Sequence, residues 1–244
     1  MSLRIPVRLA FLLALAWMTL EAGAADAKPS LPPGYKLLYQ QKFDAASNLR
    51  DFIVPDPVAW KWTKEEKGGS LELFQQNKYE PAVRSPVNIA LIKDRVFTDF
   101  ILEADLLQTS KDYGHRDMCL FFGFTDPAKF YYTHLATAAD EHAHNIFIVN
   151  RQPRVKIARE TTKGLDWGRD VWHKVRLERR ASEGTIKVYF DDLTKPIMIA
   201  EDKTFPSGYV GFGSFDDTGK VTNVKIWGPS VERKTATFFQ PAAK

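Results

Sequence analysis

The sequence predicts an all-β fold in which two antiparallel sheets pack face to face as a β-sandwich. Short runs of β-branched and aromatic residues recur along the chain, separated by Gly, Pro, Asp and Asn, which is the pattern of short strands joined by tight turns. Helical periodicity is almost absent. The runs number about a dozen, which is more than one open sheet carries well, so two packed sheets are the economical arrangement.

Single strands show the alternation that such a sandwich requires. In "FILEADLL", Phe100 to Leu107, apolar side chains alternate with Glu103 and Asp105, so one face of the strand should be buried and the other solvated. The segments "VWHKVRLER" and "TIKVYFDD" follow the same rule and place these residues inward: Val175, Leu177, Ile186, Val188 and Phe190. Turn residues in "FTDPAKF", "SEGT" and "DDTGK" suit the connections.

The two ends of the chain differ from the middle. Residues 1–27 are predicted to be a signal peptide, because Arg4 and Arg8 precede an apolar run that is followed by small residues. That run is shorter than the roughly 20 residues of a membrane span, so we expect an exported protein, periplasmic or extracellular, with no membrane span. Residues 28–34 form a proline-rich leader, residues 35–229 the sandwich domain, and residues 230–244 a tail that is either disordered or docked through Phe238 and Phe239.

Composition excludes some classes of function. The single cysteine, Cys119, cannot form an internal disulfide, so the fold has to be stabilised by its core and by any bound ion. The formal net charge of +4 is spread along the chain. It lacks the concentrated basic stripe of a nucleic-acid-binding protein, so no nucleic-acid partner is expected.

The stretch "YYTHLATAADEHAHNIFIVN", Tyr131 to Asn150, holds three of the five histidines. Side chains two residues apart on a strand share a face, so Tyr132 should point with His134, and His142 with His144. If the two apolar runs form a hairpin, His134 lies opposite His144. A pairing shifted by one residue would separate the two sets.

Three chemistries remain open for this stretch. Converging imidazoles of His134, His142 and His144 would suit zinc or copper. Alternatively, His134 and His144 could move protons with Tyr132 and Asp117 in hydrolysis or β-elimination, because imidazole titrates near neutral pH. In the third interpretation the same side chains only hydrogen-bond a sugar or hold a loop.

Sugar recognition combines aromatic faces with planar hydrogen-bonding groups. The candidates on or beside the same sheet are Tyr131, Arg116, His142, Arg154, Lys156 and Arg159. The basic residues in "RQPRVKIAR" would fit an anionic glycan. Asp216 and Asp217, in "SFDDTGK", offer the hard oxygen ligands that calcium prefers.

Several segments carry a family likeness. In order, "VFTDFILEADL", "LFFGFTDPAKFYYTHL", "VWHKVRLERRASEGTIKVYFDD" and "FPSGYVGFGSFDDTGKVTNVKIWG" resemble the concanavalin A-like lectin/glucanase jelly rolls. The subgroup they resemble most comprises the laminin-G-like and 3-keto-disaccharide hydrolase domains of exported bacterial proteins. The likeness spans about Val96 to Gly228, and more loosely Leu37 to Leu73.

The resemblance implies a sandwich with one concave face on which glycans are bound or cut. We therefore expect an exported carbohydrate-active protein with a polysaccharide or oligosaccharide partner. A glycoside hydrolase-like activity is the first expectation, a non-catalytic carbohydrate-binding module is the alternative, and a laminin-G-type protein-interaction domain is the third. In the first two, Tyr132 and His134 would line the open hollow of the concave sheet.

Overall fold

The computed structural model describes residues 31–239, and these residues form the predicted all-β fold. The expected signal peptide, residues 1–27, lies outside the described residues. The described strands, in chain order, are β1 (Lys36–Gln41), β2 (Phe52–Ile53), β3 (Trp60–Lys64), β4 (Gly69–Leu73), β5 (Asn88–Ile92), β6 (Phe100–Gln108), β7 (Asp117–Asp126), β8 (Lys129–Ala136), β9 (Asn145–Asn150), β10 (Val155–Lys156), β11 (Ala158–Thr161), β12 (Trp172–Arg180), β13 (Thr185–Phe190), β14 (Met198–Glu201), β15 (Tyr209–Ser214) and β16 (Gly219–Gly228).

The strands form two antiparallel sheets, as predicted. The nine-stranded sheet runs in the order β11, β14, β13, β12, β6, β16, β4, β3, with β1 also beside β16. The seven-stranded sheet runs in the order β10, β9, β8, β7, β15, β5, β2. Two short 3-10 helices, Ala46–Asp51 and Pro57–Ala59, are the helical segments of the described residues, and neither could cross a membrane.

The main hydrophobic core lies between the sheets and follows the alternation of the strands. From the nine-stranded sheet it receives the inward side chains of β6 and β12, including Phe100, Leu102 and Leu177. From the seven-stranded sheet it receives Leu120 and Phe122 of β7. Fully burying a large apolar side chain contributes about 1.5–3 kcal/mol, so this layer supplies most of the drive to fold.

The outer face of the nine-stranded sheet is polar. Glu103 of β6 accepts hydrogen bonds from Arg176 of β12, with 2.6 Å between Oε1 and Nη2. The next pair along the same two strands is Asp105 and Lys174, 3.4 Å apart. Cross-strand pairs of opposite charge suit a face that water reaches.

The outer face of the seven-stranded sheet is apolar and buried. Its side chains form a second hydrophobic cluster that includes Phe121, Phe130, Tyr132, Phe147 and Val149, each at most 1% exposed. Two segments of the chain pack on this cluster. We call residues 74–87, between β4 and β5, the covering loop, and residues 231–239 the C-terminal strap.

The covering loop contributes Tyr79 and Val83 to the second cluster. Its backbone is also tied to the sheet, because the carbonyl of Arg84 accepts a hydrogen bond from the N–H of Arg154 at 3.1 Å. Burying the loop's apolar side chains on the sheet removes apolar surface of both from water, which favours the covered arrangement.

The C-terminal strap docks through aromatic side chains. Phe238 packs on Phe124 of β7, with ring centroids 5.3 Å apart, and Phe239 packs edge-on against Tyr79 at 5.3 Å. The Tyr209 hydroxyl donates to the carbonyl of Lys234 at 2.9 Å. Of the two states considered for the tail, the described part adopts the docked one.

Candidate functional site

The expected open hollow is absent from the outer face of the seven-stranded sheet. Tyr132 and His134 do lie on that face, as the alternation of β8 predicts, but they are 0% and 3% exposed. Tyr132 stacks on Phe147 at 5.2 Å, and its hydroxyl has no hydrogen-bond partner among the described residues. The expectation that these two side chains line an open sugar site is wrong, because other parts of the chain bury them. Tyr132 belongs to the cluster on which the covering loop and the strap pack, and the ring of His134 lies parallel to that of Phe215.

The expected pairing of His134 with His144 is also wrong, by one residue. The partner of His134 across β8 and β9 is Asn145. His144 has a φ of +50°, a left-handed conformation that breaks the strand alternation just before β9. Its Nε2 instead hydrogen-bonds the Thr162 hydroxyl at 2.8 Å.

A zinc or copper site of three histidines is not formed. His142 is exposed in the connection before β9, whereas His134 and His144 are buried. Among residues 31–239, one group offers three or more ligand atoms close enough for a metal, and it contains none of these histidines. Burial lowers the pKa of His134 to about 3 and that of His144 to about 4.

Tyr131 cannot contact a saccharide on the outer face. Its side chain points between the sheets, stacks on Phe122 at 5.1 Å and is fully buried. The hydroxyl donates to Asp202 and accepts from the N–H of Phe205 at 3.0 Å. This residue belongs to the main core, so its assignment to the substrate site is wrong.

The predicted basic set does not converge. Lys156 pairs with Glu141 at 2.6 Å, and Arg159 pairs with Glu201 at 3.2 Å. Arg154 lies over the ring of Phe215, with 4.0 Å between the guanidinium carbon and the ring centroid. These cations are engaged with the protein itself and do not surround a common space.

An acidic cluster lies at one end of the seven-stranded sheet. It consists of Asp117 at the start of β7 and of Asp216 and Asp217 in the turn after β15, with ligand oxygens within 4.8 Å of one another. Asp117 accepts hydrogen bonds from the Ser214 hydroxyl at 2.8 Å and the Cys119 thiol at 3.0 Å. Burial, the largest cause in each case, raises the pKa of Asp117 and of Asp217 to about 6.

An open cleft of about 370 Å³ lies beside this cluster, and we call it the loop-end cleft. Its walls are formed by the end of β6 with the loop after it and by the loop before β12. The lining residues are Gln108, Thr109, Ser110, Lys111, Asp112, Arg116, Thr137, Leu165, Asp166, Trp167, Gly168, Arg169 and Asp170. The two loops meet because β6 and β12 are antiparallel partners, with Trp172 opposite Leu107.

Arg116 fixes the base of the cleft. Its Nε donates to the Gln108 side chain at 2.7 Å, and its Nη2 donates to the carbonyl of Gly168 at 2.7 Å. The arginine is 5% exposed, so it joins the two loops rather than reaching outward. The hydroxyl of Thr137 is buried in the same wall, and within residues 31–239 it has no hydrogen-bond partner.

Sequence reasoning missed most of this cleft. Arg116 was singled out, but Thr137 and the loop from Asp166 to Asp170 were not. A signal was present, because the polar segments "QTSKDYGHRD" and "GLDWGRD" flank strands that alternate strongly. Recognising β6 and β12 as neighbours would have placed both loops at one end of the sandwich.

Comparisons with known proteins agree on the architecture. No protein-family model matches the chain, and no curated protein matches it. The carbohydrate binding module CBM66 from Bacillus subtilis matches with a TM-score of 0.52 and 19% identity, over 73% of this chain and 96% of that chain. Peanut lectin matches with a TM-score of 0.52 and 12% identity, over 82% of this chain and 99% of that chain.

A larger protein also contains a similar domain. A mutant GH43 protein from Bacillus licheniformis matches with a TM-score of 0.54 and 11% identity, over 80% of this chain but 39% of that chain. At these identities the likeness establishes the fold and nothing finer. The chain has the β-sandwich jelly-roll fold that the alternation of its strands and the resemblance of its segments led us to expect.

Proposed function

We propose that this chain is an exported carbohydrate-binding protein and that its saccharide site is the loop-end cleft. The observation that carries the proposal is the contrast between two places. The sheet face expected to hold a glycan is filled by the covering loop and the strap, whereas the cleft at the end of the sandwich is open.

The size and lining of the cleft suit a short saccharide or the end of a longer one. Ligand pockets commonly measure about 300–1,000 Å³, and this cleft is at the small end of that range. Its rim offers carboxylates, hydroxyls and cations, and Leu165 and Trp167 contribute the apolar part of the wall. A sugar presents donors, acceptors and apolar C–H faces together, so a mixed lining of this kind is complementary to it.

The fold neighbours support the same class of ligand. Three of the neighbours with comparable folds are described as a carbohydrate binding module, a lectin and a GH43 protein. Export is the other half of the proposal, and it rests on the signal-like residues 1–27. An extracellular or periplasmic protein would meet polysaccharides directly.

Catalysis is the weaker alternative. The residues expected to cleave a glycosidic bond were Asp117, Tyr132, His134 and His144. The first three are covered, and His144 is turned away from them. Hydrolysis of a glycoside usually needs two carboxyl groups that reach the scissile bond. A binding role needs no such pair.

An anionic glycan is not required by the cleft. Lys111, Arg116 and Arg169 line it together with Asp112, Asp166 and Asp170, so its charges are balanced. The test should therefore offer neutral, uronic-acid and sulfated polysaccharides side by side. Equal retention of neutral and charged forms is the expected result.

The experiment measures retention of the purified chain on that polysaccharide panel, followed by titration with oligosaccharides of the retained class. Asp166→Asn removes the charge of an exposed carboxylate of the rim while keeping the side-chain shape, and Arg169→Ala removes an exposed cation of the rim. A hydrogen bond is worth about 0.5–1.5 kcal/mol net, so each change should weaken binding by about 2- to 10-fold. Asp44→Asn and Arg50→Ala, matched changes at exposed residues that do not line the cleft, should leave the affinity unchanged.

Each outcome of this experiment distinguishes between the candidate functions. Retention that is lost in the cleft variants supports the proposal. Retention that survives in both cleft variants places the site elsewhere and overturns it. Absence of retention on every polysaccharide favours the laminin-G-type protein-interaction alternative, and release of sugar products favours the hydrolase.

A further inference from the structure

His173, in β12, holds one wall of the loop-end cleft from behind. We call residues 165–170 the wall loop, because they form the side of the cleft that precedes β12. The side chain of His173 occupies one of the buried positions of the strand and is 7% exposed. Its Nε2 lies 3.0 Å from the carbonyl oxygen of Trp167, in the wall loop. The histidine therefore contacts the backbone of the cleft wall, although it does not itself line the cleft.

The other ring nitrogen of His173 meets a carboxylate. Its Nδ1 lies 2.8 Å from Asp191 Oδ2. Asp191 Oδ1 accepts a hydrogen bond from the N–H of Lys174 at 3.0 Å, and the N–H of Asp191 donates to the carbonyl of Lys174 at 2.8 Å. These two bonds hold the carboxylate against the ring.

Aromatic neighbours fix the plane of the His173 ring. The ring stacks on Phe190, with centroids 4.5 Å apart, and it meets the Trp167 ring edge-on at 5.4 Å. The indole Nε1 of Trp167 donates to the carbonyl of Leu135 at 3.1 Å, which fixes that side chain as well. Close packing on two sides keeps both nitrogens of His173 aimed at their partners.

Both partners of the His173 ring accept hydrogen bonds, and neither can donate one. A backbone carbonyl has no proton to give, and an ionised carboxylate has none either. Neutral imidazole carries one N–H, whereas imidazolium carries two. The hydrogen bonds at Nδ1 and at Nε2 therefore form together only when His173 carries two protons.

Within residues 31–239, Asp191 is the charged group in contact with the ring. Across the sheet, the partner of His173 on β6 is Leu106, which brings no charge. The neighbouring Lys174 pairs with Asp105 at 3.4 Å. The charged residues that line the cleft are Lys111, Asp112, Arg116, Asp166, Arg169 and Asp170. A change of charge on the ring therefore acts first on Asp191 and on the carbonyl of Trp167.

We propose that His173 and Asp191 position the wall loop, and that the saccharide affinity of the cleft falls when His173 loses a proton. This inference rests on the proposed function of the cleft. The remaining N–H should stay on the carboxylate, because charge-assisted hydrogen bonds are the stronger ones. Nε2 then turns a lone pair toward the carbonyl oxygen of Trp167, and the wall loop loses that anchor.

The next anchor of the wall loop does not depend on pH in this way. The carbonyl of Gly168 accepts a hydrogen bond from Arg116 Nη2 at 2.7 Å, and a guanidinium keeps its charge in proteins. The N–H of Gly168 also donates to the Asp166 side chain at 2.9 Å. The loop should therefore keep its general place when the bond to His173 is lost. We expect a graded loss of affinity and no collapse of the cleft.

The first measurement is the affinity for an oligosaccharide of the class that the polysaccharide panel retains, between about pH 5 and pH 8, where histidine changes its charge. The affinity should fall by about 2- to 10-fold as the pH rises, which corresponds to one net hydrogen bond. His173→Gln offers the Trp167 carbonyl an amide donor that does not titrate, so its affinity should stay constant across the range.

Asp191→Asn tests the carboxylate. It removes the charge that favours imidazolium, so the fall in affinity should move to lower pH. Asp44→Asn, the same change at an exposed residue away from the cleft, is the matched control and should keep the pH profile of the unaltered chain.

The second measurement needs no saccharide. Nitrogen NMR of the imidazoles should show both ring N–H groups of His173 at the acidic end of this range. Loss of the Nε2 proton at higher pH should change the amide resonances of the wall loop. Wall-loop resonances that do not respond to the charge of His173 would overturn the positioning role.

The two measurements separate this inference from the proposed function. Absence of saccharide binding at every pH would overturn the proposed function, and the NMR result would still decide whether the pair positions the wall loop. Saccharide binding with the same pH profile in the unaltered chain and in His173→Gln would overturn this inference and leave the proposed function standing.

Discussion

The two outer faces of the sandwich are built in opposite ways. The face of the nine-stranded sheet carries cross-strand ion pairs, such as Lys174 with Asp105, whose side chains are 39% and 18% exposed to water. The face of the seven-stranded sheet carries Phe121, Tyr132 and Phe147, and the protein's own covering loop and strap lie on it. The first face has a solvated surface, and the second is a further core layer.

This difference limits where a ligand can bind, because only an uncovered surface is accessible to it. A glycan was expected on the outer face of the sheet that carries Tyr132 and His134, but here that sheet is buried on both sides. An accessible cleft lies instead at the end of the sandwich, where the loops after β6 and before β12 enclose the loop-end cleft. The fold therefore limits where a ligand site can lie without fixing its location. Which surface stays accessible depends on where the covering loop and the strap pack.

The largest expected effect tests whether the buried face is core. Phe147→Ala should lower the free energy of unfolding by about 3–5 kcal/mol, because it removes a fully buried aromatic ring that stacks on Tyr132. Lys187→Ala, on the outer face of the nine-stranded sheet, should change it by less than about 0.5 kcal/mol. Denaturant unfolding measures both. A small loss for Phe147→Ala would mean that its ring is open to water, as a sugar platform would be.

The next effect concerns how the free energy of unfolding depends on pH through the buried groups His134 and Asp217, measured in the presence of a chelator. The pKa of His134 in the folded state is depressed from 6.5 to about 3, so the unfolded chain binds a proton there before the folded chain does. The stability that the neutral ring contributes is therefore complete above about pH 6.5 and is lost as the pH falls. The folded pKa of Asp217 is raised from 3.8 to about 6, so its contribution is complete below about pH 3.8 and is lost as the pH rises.

Between about pH 4 and pH 6 the two groups therefore act in opposite directions, each by at most about 1.4 kcal/mol per pH unit. His134→Phe should make the loss of stability on acidification shallower, and Asp217→Asn should make it steeper. Unfolding free energies measured across this range check both slopes. If the unfolding free energy depended on pH in the same way for both variants and for the unaltered chain, the burial of His134 and Asp217 would be contradicted.

The smallest effect is expected on the solvated face. A double-mutant cycle of Arg159→Gln and Glu201→Gln, whose side chains are 57% and 58% exposed, should give a coupling of about 1 kcal/mol or less, because exposed pairs are screened by water and salt. The coupling should fall further at high salt. A value several times larger would show that this face, too, is shielded from water.

The fold could be predicted from the sequence because alternating apolar and polar residues indicate a strand that is buried on one face only. β12 reads "WHKVRLERR", with every second side chain buried, and its inward residues Val175 and Leu177 were predicted from that pattern. The same reasoning would also have predicted that the seven-stranded sheet is covered on both faces. β7 reads "DMCLFFGFTD" and is buried at eight consecutive positions, which is the pattern of a strand covered on both faces.

The site was less predictable because it depends on contacts between distant segments. Tyr132 and His134 were placed on the correct face, but no local pattern tells that residues 231–239 return to cover them. The register between β8 and β9 depends on the left-handed residue His144, and a one-residue shift was enough to separate the histidines. The acidic cluster joins Asp117 to residues about a hundred positions away, so only Asp216 and Asp217 were recognised as a pair.

Cys119 provides the most direct test of the central claim, that the outer face of the seven-stranded sheet is sealed by the chain itself. The only cysteine lies on this face, is 0% exposed, and has a thiol pKa raised by burial. A thiol-reactive reagent should leave the native chain unlabelled over the time in which the unfolded chain reacts completely. The combined change of Phe238→Ala and Phe239→Ala, which loosens the strap, should speed labelling of the folded protein. Labelling of the native chain as fast as that of the unfolded chain would contradict the account.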